Sequence, residues 1–130
     1  MARTPASRRG NLFAPECPSR QVLQHVTSRW GVLVLVALAD GERHRFSALR
    51  RTIGGVSEKM LAQTLQGLEG DGFVERTVHP VVPPHVDYAL TDLGRTLGAA
   101  FCGVWTWAAE NRERIEAARV AFDEREDARG

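Results

Sequence analysis

The stretch Ser57-Glu58-Lys59-Met60-Leu61-Ala62-Gln63-Thr64-Leu65-Gln66-Gly67-Leu68-Glu69-Gly70 decides how this chain is read. At about 100° per residue, Leu61, Leu65 and Leu68 fall on one side of a helix, and Lys59, Gln63 and Gln66 on the other. Ser57 suits an N-cap, Gly54-Gly55 breaks the chain ahead of it, and Asp71-Gly72 ends it. Gly67 is the one discordant residue, since glycine inside a helix costs about 1 kcal/mol relative to alanine.

Upstream, Phe46, Leu49 and Ile53 are spaced i, i+3, i+7 and predict a short helix over 46–53. Downstream, 73–78 and 85–90 read as two strands; Val86, Tyr88 and Leu90 alternate with His85, Asp87 and Ala89. Three prolines in His79-Pro80-Val81-Val82-Pro83-Pro84 prevent a tight turn, so the hairpin has an extended tip. Thr91 can cap a final helix in which Leu93, Leu97, Ala100, Val104 and Trp107 form one apolar strip and Phe101, Trp105 and Ala108 a second. Two strips suit a helix that packs on its own domain and on something else. Near the start, Pro18 and Ser19 suit a helix beginning, with Val22, Leu23 and Val26 as its stripe. The run 32–39 is buried strand or buried helix; periodicity does not separate the two.

Short helix, two-glycine turn, helix with a polar outer face, then hairpin is the order of a winged helix-turn-helix. The expected fold is mainly α with a small β-hairpin wing (α+β), with N- and C-terminal dimerisation helices. A mobile arm is expected over 1–16, the domain over 17–110, and a charged helical extension over 111–130 that frays after Phe122. A recognition helix needs an apolar inner face to anchor it and outward side chains that reach base edges. Lysine donates to guanine acceptors and glutamine bonds adenine, so Lys59, Gln63 and Gln66, with Ser57 at the helix start, are the candidate DNA-reading residues. The same face also suits an ordinary solvated helix.

Charge distribution is open to nucleic acid as well as to an ordinary solvated arginine face. The net charge is only +1, yet residues 1–30 carry five arginines against one acid, and 41–56 carry Arg43, Arg45, Arg50 and Arg51 against Glu42. Residues 92–130 carry eight acids against six arginines. A basic N-terminal half points to phosphate, which positions a protein without reading sequence.

Composition excludes several classes. With 130 residues, 43% hydrophobic and 25% charged, the chain is neither fibrous nor wholly disordered. Its longest apolar run, 32–39, is far too short to cross a bilayer, and Leu12-Phe13-Ala14 is too short for a signal peptide despite Arg3, Arg8 and Arg9. Two cysteines are too few for a disulfide scaffold. A soluble, cytoplasmic protein without a membrane partner is expected. No nucleophile elbow, P-loop or dinucleotide fingerprint occurs, so neither an enzyme nor a cofactor is expected.

Cys17-Pro18, Arg29-Trp30, Arg45-Phe46, Leu49-Arg50 and Gly55-Val56-Ser57 resemble HxlR-type winged-helix transcriptional regulators. Leu68-Glu69, Asp71-Gly72, Val74-Glu75-Arg76 and the run from Val82-Pro83-Pro84 through Tyr88 and Leu90-Thr91 to Gly94 extend the match, which covers about 17–108. The resemblance implies a homodimeric regulator of double-stranded DNA, a repressor or an activator, on a palindromic operator. It implies that 31–39 is helical and that the first and last long helices meet the partner copy, with Val22, Val26, Val104, Trp105 and Trp107 as interface residues. This chain departs from the family at Thr64, Gln66 and His85, where arginine is frequent, so Arg43, Arg45, Arg50, Arg51 and the arginine-rich arm should supply more of the phosphate affinity.

Three sites for a signal are expected or weighed. Cys17, ahead of a helix and among arginines, should be exposed and activated, and some members of the resembled family sense oxidants or electrophiles at this place. The alternative is an inert, packed thiol, as expected for Cys102. Phe101, Trp105 and Trp107 with Trp30 could instead line a pocket for a small aromatic effector. His25, His44, His79 and His85 show no metal-ligand spacing, so no metal site is expected; His79 and His85 either touch phosphate or stand solvated on the hairpin. A winged-helix module that binds another protein is the competing class.

Overall fold

Ser57 caps the decisive helix as expected: its Oγ accepts the Met60 N–H at 3.1 Å. The computed structural model describes residues 13–130. In it the chain runs α1 (Pro18–Val26), α2 (Arg29–Ala37), a 3-10 turn (Leu38–Asp40), β1 (His44–Arg45), α3 (Phe46–Thr52), α4 (Glu58–Gly70), β2 (Val74–His79), β3 (His85–Leu90), α5 (Asp92–Glu110) and α6 (Arg112–Arg129). Leu61, Leu65 and Leu68 are 0–1% exposed, so the leucine stripe anchors α4 completely. Ile53 and Val56 are buried on either side of the turn into α4, where Gly55 takes φ 86°, a left-handed value that a side chain would strain.

The run at 32–39 is helical. Ser28 caps α2 by accepting the Gly31 N–H at 3.1 Å, and Val34, Leu35 and Leu38 are sealed from solvent between α4 and α5. A helix apolar on nearly every side has no visible stripe, which is why its period carried no information.

Both expected strands form and pair antiparallel, with Val74 opposite Leu90 and His79 opposite His85. A third strand was not expected. His44 and Arg45 pair with Tyr88 and Asp87 and give a sheet of order β1-β3-β2. Tyr88 and Leu90 turn into the core from β3.

Two expectations need correction. Val26 is 1% exposed and lies in the core of its own chain, so its side chain is not available to an interface; Val22 packs against the same core, half-buried, while Leu23 faces outward. In α5 the inward face is Gly94, Leu97, Gly98 and Phe101, with Leu93 and Val104 exposed, because the helix approaches the neighbouring backbone too closely for a side chain at 94. The charged C-terminal extension forms one helix that runs past Phe122. It continues to Arg129, with ion pairs Arg112–Glu116 and Arg119–Asp123 along its surface. Of the arm, residues 1–12 lie outside the described residues.

Candidate nucleic-acid interface

Lys59, Gln63 and Gln66 are all exposed on α4, opposite the buried leucines. Two neighbours frame them. On one side Gln63 shares a shallow groove with Gln24, His25 and Ser28 of the α1–α2 region; on the other Gln66 shares one with Arg76 and Tyr88 of the sheet. The polar face is therefore an open strip between α1 and the wing. His25 fixes one edge of it, since its Nδ1 lies 2.6 Å from Asp71 Oδ2 and ties α1 to the end of α4.

All four arginines expected to meet phosphate are exposed. Arg50 and Arg51, with Ser47, Phe46 and Glu58, line a concavity where α3 meets the start of α4. Arg50 Nη1 contacts Glu58 Oε1 at 3.1 Å, and Arg43 Nη2 stands 3.8 Å from Glu75 Oε1. Such exposed pairs are worth about 0–1 kcal/mol, so a phosphate can displace either carboxylate at little cost. Arg45 opens α3 from the end of β1, opposite Asp87 in the sheet register. Arg76, exposed on β2 beside Gln66, is a basic residue that the sequence reading passed over. Its signal was the hairpin register, which puts it level with Tyr88 and next to α4.

The hairpin histidines are partnered rather than simply solvated. His79 and His85 stack at 4.6 Å between ring centroids, and His79 Nε2 lies 2.7 Å from Asp87 Oδ2. Neither stands free on the hairpin, and the group forms despite the absence of any metal-ligand spacing in the sequence. His44 Nε2 bonds both oxygens of Asp40 at 3.0 and 2.9 Å, and this hydrogen bond holds the Asp40 carboxyl below its ordinary range.

Cys17 is 6% exposed, which corrects the expectation of an accessible thiol. It occupies the N-cap of α1, where its carbonyl accepts from Arg20 and Gln21 and its own N–H donates to Ala14 O. Cys102 is half-buried. The aromatic residues do not gather into one pocket: Trp30 and Phe101 pack on the core, whereas Trp105 and Trp107 are 58% and 57% exposed on α5. The groove at Trp105 is lined by Trp105, Ala108 and Ala109. Among the described residues, no single helix is long and apolar enough to cross a membrane.

Comparison with known proteins agrees with this geometry. The chain is 60% identical to the HTH-type transcriptional regulator YtfH of Escherichia coli (strain K12) over 112 residues, which are 86% of this chain and 88% of that protein. The solved structure of ytfH from Salmonella typhimurium superposes with a TM-score of 0.79 at 61% identity, covering 85% of this chain and 97% of the other. The reduced form of the redox regulator HypR superposes with a TM-score of 0.69 at 34% identity, covering 77% and 98%. A family model described as HxlR-like helix-turn-helix matches residues 25–116. With a capped, leucine-anchored helix followed by a wing, the chain belongs to the HxlR-like helix-turn-helix family of transcriptional regulators.

Proposed function

We propose that the chain is a dimeric, sequence-specific repressor that lays the Lys59-Gln63-Gln66 face of α4 in the major groove of a palindromic operator. The observation that carries this is the pairing of an outward polar strip with an inner face sealed by Leu61, Leu65 and Leu68. That pairing presents hydrogen-bonding side chains on a rigid rod, as base readout requires. Arg43, Arg45, Arg50 and Arg51, all exposed and ahead of α4 in the chain, supply phosphate contacts.

Dimerisation is supported by apolar surface left open along α1 and α5. Leu23 on α1 and Val104, Trp105 and Trp107 on α5 are all exposed, and clustered exposure of large apolar side chains marks an interaction surface.

Cys17 is the proposed entry point for an oxidant or electrophile, supported by similarity to the redox regulator HypR, solved in both reduced and oxidised forms. Burial of the thiol means that the segment ahead of α1 must first open. Two Cys17 thiols then give up two protons and two electrons to an oxidant such as diamide and join as an intersubunit disulfide. Diamide should release wild-type protein from DNA and leave Cys17→Ser bound; release of both alike removes Cys17 from the scheme.

Band shifts on fragments of the source genome test the main reading. One or a few fragments should bind at about nanomolar strength in moderate salt, well above the rest. Equal, weak binding to every fragment would instead favour a module that binds protein.

A further inference from the structure

We propose that His79, His85 and Asp87 form a binding site for a divalent first-row transition-metal ion at the neck of the wing. The proposal is independent of the DNA reading, because it rests on the hairpin alone.

The register builds the site. His79 of β2 pairs directly with His85 of β3, and Asp87 follows His85 by two residues. Paired residues and residues two apart share one face of a sheet, so all three side chains rise on the same side of the hairpin. Their candidate ligand atoms lie within 4.8 Å of one another. Bonds of about 2.0–2.2 Å to nitrogen and oxygen place the ligands of one ion roughly 3–3.5 Å apart. His79 Nε2 and Asp87 Oδ2 at 2.7 Å must part slightly and the wider separations must close, adjustments within reach of side-chain rotation while the buried Tyr88 and Leu90 anchor β3.

A second observation concerns His79 Nε2. It is cut off from solvent and lies 2.7 Å from Asp87 Oδ2, yet the contact lacks hydrogen-bond geometry and leaves the nitrogen without a partner. A buried ring nitrogen facing a carboxylate oxygen out of line for a hydrogen bond is poorly satisfied as an ion pair. Both atoms face the same space, and a small rotation that parts them would let one ion bind both. Two imidazoles and one carboxylate form a donor set suited to zinc and its neighbours, and three protein ligands leave a coordination position open to water. An ion held there would join β2 to β3 just below the five-residue tip at 80–84.

The test uses the full chain, free of any tag and stripped of metal by chelator dialysis. Zn2+ is titrated against a chromophoric chelator and Co2+ is followed by its absorption. One equivalent per chain should bind, and His79→Gln, His85→Gln or Asp87→Asn should each weaken binding at least about 100-fold. His25→Gln and the double variant Cys17→Ser/Cys102→Ser should bind as wild type does. No bound equivalent, or binding that survives loss of His79 and His85 together, overturns the proposal. A measurement on wild-type protein covers any variant that folds poorly: Co2+ should shift and broaden the ring resonances of His79 and His85 far more than those of His25. Broadening confined to His25 or His44 would equally overturn it.

Discussion

Replacing Gly94 by alanine should destabilise the protein, while the same replacement at Gly67 should stabilise it. A Cβ at Gly94 would stand 2.0 Å from the Phe73 carbonyl oxygen and 2.9 Å from its carbon. That carbonyl cannot yield, because it accepts the Thr91 N–H at 3.0 Å, and Thr91 also caps α5 through Gly94 N and bonds Gly72 O at 2.6 Å. Relief therefore requires α5 to retreat from the start of β2 by about 1 Å or more, breaking the Thr91 contact. Overpacking of this kind costs about 1–3 kcal/mol and one lost hydrogen bond about 1 kcal/mol, so Gly94→Ala should lose about 2–4 kcal/mol. A Cβ at Gly67 meets nothing within 4 Å, and helix propensity alone should then add about 0.5–1 kcal/mol. Urea unfolding followed by tryptophan fluorescence, at one fixed protein concentration to hold any dimer equilibrium constant, reads both. Equal midpoints for Gly94→Ala and wild type would refute the close approach of α5 to β2, and a lower midpoint for Gly67→Ala would refute the open space around that position.

Other expectations follow from the same geometry. Arg51→Ala should weaken binding to all DNA sequences alike and reduce the slope of log affinity against log salt by about one unit, measured by fluorescence anisotropy across a salt series. Trp105→Asp combined with Trp107→Asp should convert the protein to a monomer in sedimentation velocity without shifting its far-UV spectrum, since both side chains are more than half exposed. Asp40 has a depressed carboxyl pKa because His44 hydrogen-bonds it, so its contribution to stability is present above the unfolded value and is lost as pH falls through the folded one. Carboxyl NMR titration of His44→Ala should therefore move Asp40 upward, toward the ordinary carboxylate value; an unmoved Asp40 would contradict the pairing.

Much of the fold was legible because its signals are local. The leucine spacing of α4, the Ser57 cap and the alternation of β3 each follow from one short stretch of chain. What was not legible depends on contact between stretches. The two-residue β1 has no periodicity of its own and exists only because β3 offers an edge at Tyr88 and Asp87. The inner face of α5 escaped a hydrophobic pattern because Gly94 and Gly98 pack by having no side chain, leaving Leu93 outside. Cys17 looked accessible among arginines, but the turn at Ala14 and the first turn of α1 fold around it. At the candidate interface, Lys59, Gln63, Gln66 and the arginines were readable as residue types on a helix face. Arg76 and the grouping of His79, His85 and Asp87 required the hairpin register.

In vitro selection from a randomised duplex pool tests the central claim most directly. Wild-type protein should enrich a two-fold symmetric sequence whose half-sites are centred about one helical turn, roughly 10 base pairs, apart. Gln63→Ala and Gln66→Ala should each relax preference at a defined base pair, at about 1–3 kcal/mol, while leaving the remaining positions and the salt dependence intact. A wild-type selection that yields no consensus, or a consensus unchanged when Lys59, Gln63 and Gln66 are all alanine, would contradict readout by the outer face of α4.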